Sequence, residues 1–275
     1  MIIGNKEFHI GKKTYIMGIL NITPDSFSDG GLYNKDAYLK RADIMLKEGC
    51  DIIDVGGEST RPGYEMISTD EEIERVAPVI ECLLNHFDVP VSLDTYKYEV
   101  AKVGIEAGIS LINDIRGLKY DSKMAKQIAE HNVACCLMHN RNISIGLNHD
   151  LIDDVKDELA ESVNLAKLSG IGLDKIILDP GIGFGKSYED NLLVLNNLAA
   201  FSELGFPLLL GASRKSVIGL TLDLPVDERI EGTIVTTVMA VMAGYTFVRV
   251  HDIQGNKRAV KMAEAIKDSA MERLG

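Results

Sequence analysis

The chain has 275 residues, 46% of them hydrophobic and 25% charged, which is enough for one large core or two smaller ones. Its formal net charge of -12, with no Lys/Arg cluster to reverse it locally, argues against nucleic acid as a partner, so any anionic ligand must be held by a few placed cations. Four cysteines, Cys50, Cys82, Cys135 and Cys136, show no metal-ligand spacing and are too sparse for a disulfide scaffold. No run reaches the roughly 18 apolar residues of a membrane span, and the N-terminus lacks a basic stretch before an apolar one. The composition therefore predicts a cytoplasmic protein with reduced, buried thiols.

Residues 1 to 12 alternate apolar and polar around Gly4-Asn5 and Gly11, a pattern that predicts a small hairpin able to plug one end of a barrel. Short β-like runs then end near Asn21, Asp54, Asp94, Asn113, Met138, Asp179, Gly211 and Val250. Each leads through a loop to a helix-like segment, at about 35–49, 69–86, 96–107, 121–131, 151–169, 188–198, 227–243 and 256–272. Ser68 or Thr69 ahead of three acidic residues, and Asp227 at the head of the long apolar segment 227–243, read as helix starts. Eight strand-helix units without an internal linker predict a single α/β domain over 1–275, a TIM (β/α)8 barrel with a short N-terminal β-hairpin. A doubly wound sheet would want a glycine fingerprint after its first strand, and there is none.

In such a barrel the C-terminal ends of the strands share one mouth, so the polar residues there are candidates for chemistry. Asn21, Asp54, Asp94, Asn113, Asp114, Asp179, Arg249 and His251 all fall at strand ends. A single Asp in that position is commonly a cap or turn residue, but six of eight strands ending in this way point to a site. Asp94, Asn113 and Asp179 offer carboxylate and amide groups suited to a flat heterocycle with ring N–H, amino and carbonyl groups. Lys215 and Ser216 follow strand seven where a helix begins, and Arg249 and His251 alternate with Val248 and Val250, so together they outline an anion site after strands seven and eight.

Three loops stand out. The segment from Asn21 to about Asn34 is long for a strand-to-helix connection, shaped by Pro24 and Gly30-Gly31, and carries Phe27 and Asp29. Residues 56–63, Gly-Gly-Glu-Ser-Thr-Arg-Pro-Gly, present one cation, Arg61. Asp179-Pro-Gly-Ile-Gly-Phe-Gly-Lys186 lacks the Lys-Ser/Thr ending of a nucleotide-binding loop. Its glycines are read as letting the backbone approach a ligand, with Phe184 as an aromatic wall. His139, without a second ligand at metal spacing, reads as structural. Ile230, Ile234, Val235, Val238, Met239, Val241 and Met242 wrap most of the way round one helix, more than core packing on one face needs, and so predict a subunit contact.

The motifs at 17–31 (Met-Gly-Ile-Leu-Asn-Ile-Thr-Pro-Asp-Ser-Phe-Ser-Asp-Gly-Gly), 56–63, 92–97 (Ser-Leu-Asp-Thr-Tyr-Lys), 112–115, 179–186, 213–216 (Ser-Arg-Lys-Ser) and 249–252 (Arg-Val-His-Asp) resemble those of the bacterial dihydropteroate synthases, in the same order and over nearly the whole chain. The resemblance implies a transferase of folate biosynthesis and a sulfonamide target. Its reaction joins 6-hydroxymethyl-7,8-dihydropterin pyrophosphate to p-aminobenzoate and releases pyrophosphate with Mg2+. It implies that Asp94, Asn113, Asp179 and Lys215 hold the pterin, and that Asn21, Arg249 and His251 hold pyrophosphate and the metal. Thr60, Arg61, Pro62, Phe184, Lys215 and Ser216 would then surround p-aminobenzoate, with Phe27 and Asp29 contributing from the first loop. It also implies a homodimer. Gly-Tyr-Thr-Phe at 244–247 and the segment after His139-Asn140 depart from the family pattern without touching a matched position. A methyltetrahydrofolate methyltransferase would keep the Asp/Asn pocket but has no use for Arg61, Lys215-Ser216, Arg249 and His251. A non-catalytic pterin-binding paralogue would have lost Asn21, Arg249 or His251.

Overall fold

A computed structural model describes residues 1–22, 35–59, 66–140 and 150–271. β1 (Ile2–Ile3) and β2 (Lys6–Glu7) form an antiparallel hairpin. The barrel strands are β3 (Tyr15–Asn21), β4 (Ile52–Gly56), β5 (Val91–Asp94), β6 (Leu111–Asp114), β7 (Ala134–Met138), β8 (Ile176–Asp179), β9 (Leu209–Leu210) and β10 (Phe247–Val250). They pair in parallel in the order β8-β7-β6-β5-β4-β3-β10-β9, and a parallel bridge between Leu178 and Leu208 brings the two ends together. The helices are α1 (Lys35–Lys47), α2 (Thr69–His86), α3 (Tyr98–Ala107), α4 (Ser122–Glu130), α5 (Leu151–Leu168), α6 (Tyr188–Asn196), α7 (Ser216–Leu222), α8 (Ile230–Met242) and α9 (Ile253–Met271). The described residues thus form the (β/α)8 barrel with an N-terminal hairpin that the strand rhythm predicts.

The strands are buried on both faces and read as nearly continuous apolar runs, as parallel strands under helices do. One face supplies Ile16, Leu20, Ile53, Val55, Leu93, Ile112, Leu137, Leu178, Leu210, Val248 and Val250 to the layer shared with the helices. The other supplies Tyr15, Met17, Ile52, Leu111, Ala134, Cys136, Ile177, Leu209 and Phe247 to the barrel interior, together with Ile3 and Phe8 of the hairpin. The Phe8 ring meets Tyr15 edge-on at 4.8 Å and Phe247 at 5.4 Å, so the hairpin does close the N-terminal end of the barrel. Apolar layers fill that half, and the polar groups are left to the other.

Helix starts follow the caps written in the sequence. The Ser68 hydroxyl accepts from the Glu71 amide, with Asp70, Glu71 and Glu72 in the first turn of α2, and Ser187 and Asp190 form a reciprocal box at α6. Asp227 is a different case. It lies in a short 3-10 turn, Val226–Glu228, begun by Pro225, and α8 starts only at Ile230. At 13 residues α8 is also shorter than α2, α5 and α9, and α7 precedes it as a separate seven-residue helix.

Candidate active site at the barrel mouth

The alternation that points Met17, Ile52, Leu111, Cys136, Ile177 and Phe247 into the barrel points the residues two positions on the same way. Those include Asp54, Asn113, Met138, Asp179 and Arg249, and the register sets Asp54 beside Ser92, Asp94 beside Asn113, and Met138 beside Asp179. Residues far apart in sequence are thereby gathered above the apolar interior. Arg249 donates from Nε to Asp54 Oδ2 at 2.5 Å and from Nη2 to Asp94 Oδ2 at 2.6 Å, and Asn113 Nδ2 reaches the same Asp54 oxygen at 3.4 Å. β4 runs on to Gly56, so Asp54 is fully buried in the body of its strand and does not end it. Its other oxygen, Oδ1, has no hydrogen-bond partner among the described residues.

Burial dominates the electrostatics. It drives the Asp94 carboxyl up to about 7 against the opposing pull of Arg249, with the neighbouring Asp54 charge adding to the rise. Asp179 is also raised by burial, countered by Lys215 and by the Gly181 amide, which donates to its Oδ1 at 2.7 Å. Lys215 is lowered to about 8 by loss of solvent, with Asp179 opposing, so it stays mostly protonated at neutral pH but within reach of losing its proton. Arg249 is held charged by Asp54 and Asp94 in spite of its burial.

Lys215 occupies the N-cap position of α7, as the motif predicts. Its Nζ donates to the Ile182 carbonyl and lies 4.3 Å from the centre of the Phe184 ring. Gly211 leaves room for this meeting, because a Cβ there would stand 3.3 Å from Asp179 Oδ2 and 3.9 Å from Lys215 Nζ. His251 follows the end of β10. Its Nδ1 lies 3.0 Å from Ser213 Oγ, its amide donates to the same hydroxyl, and its carbonyl accepts from Arg41 of α1. Asn21 ends β3, half-buried, with its Oδ1 and Asp94 Oδ2 both flanking the Cα side of Gly56. Ser216 is exposed on the first turn of α7.

Phe27, Asp29, Thr60, Arg61 and Pro62 lie outside the described residues. The residues flanking 60–65 are tied down. Lys97 Nζ contacts Glu58 at 2.6 Å and Glu72 at 2.7 Å and donates to the Ile67 carbonyl, while Glu58 also accepts from the Ile67 amide and the Tyr96 hydroxyl.

The structure separates neighbours that the motif list treats alike. Asp114 is turned away from the mouth and accepts from the Arg116 and Leu118 amides at 2.8 and 2.7 Å, a turn function. His139 sits among Lys186, 2.7 Å from its Nδ1, and Glu158, 3.6 Å from its Nε2. The site also contains groups that the strand-end rule did not single out. Tyr96, Ile115 and Met138 form a buried apolar cluster against which Phe184 packs, two residues beyond Asp94, two beyond Asn113, and opposite Asp179 respectively. A flat ring between them would meet apolar faces and polar edges. Asx and apolar residues at alternate positions signal such a wall, but only once the inward face is known.

A metal bound here would find oxygen donors. Asn21 Oδ1, the Asp94 carboxylate and the orphaned Asp54 Oδ1 suit a hard cation such as Mg2+, which is commonly held by one or two protein oxygens plus phosphates of a ligand. Among the described residues no cluster of three His, Cys, Asp or Glu would hold one without such help.

The profile of the pterin-binding enzymes matches residues 17–251. A dihydropteroate synthase of Clostridium beijerinckii is 58% identical over 268 residues, covering 97% of this chain and 99% of that protein. One from Bacillus subtilis is 52% identical over 256 residues, covering 93% and 89%. Among solved structures, the Clostridium difficile dihydropteroate synthase in the presence of pteroic acid superposes with a TM-score of 0.91 at 47% identity, covering 94% of this chain and 99% of that one. The Yersinia pestis enzyme in a sulfonamide drug complex does so at 0.89 and 38%, covering 98% and 99%.

Proposed function

The chain belongs to the dihydropteroate synthase family of pterin-binding enzymes, transferases of folate biosynthesis, and on that premise we propose how its barrel mouth joins 6-hydroxymethyl-7,8-dihydropterin pyrophosphate to p-aminobenzoate. The observation that carries the reading is the convergence of Asp94, Asn113, Asp179, Lys215 and Arg249 from five strand ends on one apolar-walled mouth. Asp94, Asn113 and Asp179 take the amino and ring N–H groups of the pterin, Lys215 donates to its acceptors, and Ile115 and Met138 cover its faces. Arg249 uses two of its five donors on Asp54 and Asp94, which leaves three for the pyrophosphate. His251, oriented through Ser213, follows Arg249 by two residues just past the end of β10.

Departure of pyrophosphate breaks the C–O bond and leaves its positive charge on the pterin methylene, conjugated with the ring. The buried Asp94 carboxyl, in its ionised form, is a counter-charge for that cation, and Arg249 and His251 stabilise the departing anion. Asn21 and Asp94 are the residues that would hold Mg2+, whose contribution when bound is to neutralise charge on the leaving group. The arylamine nitrogen then attacks with its lone pair from the side walled by Phe184, with Thr60, Arg61, Pro62 and Ser216 as the remaining contacts, and Phe27 and Asp29 from the first loop. The resulting ammonium gives its proton to solvent. No protein nucleophile enters. Sulfonamides, as arylamines of similar shape, would compete at the same position. A steady-state assay with both substrates should yield dihydropteroate and pyrophosphate in equal amounts; absence of product would refute the assignment.

We further propose a homodimer through α8 and α9. Ile230, Ile234 and Val238 are half-buried and Val241 is buried, but Val235, Met239 and Met242 remain exposed, beside Met262 and Ile266 of α9. Val235 is 58% exposed and Met262 63%, an apolar strip that a partner copy would cover. Val235→Glu is therefore expected to convert the dimer to monomers in light scattering at micromolar concentration, with little change in melting temperature. A wild-type monomer would remove the proposal. No described helix is long and apolar enough to cross a membrane, and the cysteines are free, three of them buried, which supports the reducing cytoplasm as the place of work.

A further inference from the structure

The glycine-rich turn after β8 does approach cations, but they belong to the protein. Gly181, Gly183 and Gly185 have φ of +71°, +81° and +60°, and a Cβ on Gly181 would stand 1.9 Å from the His139 carbonyl oxygen. These angles turn the turn's carbonyls inward. Those of Gly181 and Phe184 accept from Lys186 Nζ at 3.0 and 3.2 Å, and that of Ile182 accepts from Lys215. The Lys186 ammonium has a third contact, His139 Nδ1 at 2.7 Å. For Nδ1 to accept, the ring must carry its hydrogen on Nε2, the side that faces Glu158. Every donor of this ammonium is thus directed at the turn or at the end of β7, none at the substrate positions assigned above. The Gly181 carbonyl also accepts from the Phe184 amide, so one oxygen closes the turn and anchors it to Lys186.

We propose that Lys186 is a positioning residue for the arylamine acceptor: it gathers the Gly181 and Phe184 carbonyls and the His139 ring into one fixed turn, and so holds the Phe184 ring against Lys215 and the Tyr96–Ile115–Met138 wall. Asn191 of α6 secures the same turn at Gly183, whose amide donates to its Oδ1 at 2.6 Å, so the turn persists without Lys186 while the Phe184 end loosens. The inference rests on the reading that Phe184 walls the p-aminobenzoate position.

The test is a double-mutant cycle on the whole enzyme with Lys186→Met and Phe184→Leu, reading KM for each substrate, kcat and melting temperature. Lys186→Met should raise KM for p-aminobenzoate about tenfold while KM for the pterin pyrophosphate changes less than about threefold. Combined with Phe184→Leu, it should add less than about threefold to the effect of Phe184→Leu alone, because both remove one wall. Multiplicative effects, or an equal rise in both KM values, would overturn the proposal, since a lysine that merely stabilises the barrel would not act through Phe184. Lys186→Gln, which keeps one amide donor, runs through the same cycle and decides the matter if the Met variant does not fold. Wild-type enzyme that makes no dihydropteroate would overturn the reading of the site itself, whereas active wild type with a multiplicative cycle would overturn only the role of Lys186.

Discussion

Arg249→Met is expected to lower kcat/KM by about a hundred- to a thousandfold and to make stability fall more steeply with pH than in the wild type. The first effect follows from removing the cation that faces the departing pyrophosphate. The second follows from what Arg249 touches within the barrel, a fully buried Asp54 and an Asp94 that is 9% exposed. Deleting one partner of a buried ion pair leaves an uncompensated charge, at a cost of about 3 kcal/mol or more. Here the remaining pair can lower that cost by taking up a proton. Asp94 already stands at about 7 against an ordinary 3.8, and without Arg249 it must rise further. A carboxyl whose folded pKa lies above its unfolded one favours the folded state while protonated, so that contribution is kept at low pH and lost as pH climbs through the folded value. The deficit of the variant relative to wild type should therefore be smaller near about pH 5, where Asp94 is protonated in both, than at a pH well above about 7, which urea melts at the two pH values would show. Equal deficits would mean that the carboxylates do not share their charge through Arg249.

Much of this site was legible because barrel topology turns a sequence pattern into a place. Asn21, Asp94, Asn113, Asp179 and Arg249 each break an apolar run, and a parallel barrel has only one end at which such breaks meet. Asp54 breaks its run too, yet it is not a strand end. Its strand continues through Val55 and Gly56, and only the register, with Ile19 on one side and Ser92 on the other, reveals that a polar residue can sit inside the barrel one layer below the mouth. Asn113 and Asp114 are adjacent and similar in chemistry, but alternation sends one inward and leaves the other to fold the following turn. His139 and Lys186 are 47 residues apart, and nothing local marks them as partners. The glycines of 181–185 were legible as a turn that lets something approach its backbone. That the approaching groups are two internal lysines depends on where Lys215 and Lys186 end up in space. α8 starts at Ile230 and not at Asp227 for a local reason, since Pro225 opens a tight turn that uses Asp227 before the helix begins.

Asp179→Asn tests the polar edge of the pterin pocket, and the structure specifies which way the new amide must face. In the wild type the Gly181 amide donates to Asp179 Oδ1 at 2.7 Å, within a turn held by Lys186 and Asn191. An asparagine must give that N–H its carbonyl oxygen, because the alternative sets two donors against each other in a buried turn. The NH2 group then occupies the position of Oδ2, beside Gly211 and Lys215, where the carboxylate would accept from the amino and ring N–H groups of the pterin. Donor faces donor, and Lys215 loses the anion that counteracts its desolvation. The binding loss should be about 2 kcal/mol or more, roughly a thirtyfold weaker affinity for a pterin ligand by calorimetry, with the fold intact. The same substitution lowers Lys215 further below about 8, so at neutral pH a larger share of the variant carries a neutral amine there. Affinity in the variant should accordingly start to fall at a lower pH than in the wild type as the pH is raised from neutral and Lys215 loses its proton. Wild-type affinity in Asp179→Asn at neutral pH would show that the pterin is held by Asp94 and Asn113 without this carboxylate, and that Asp179 serves the turn alone.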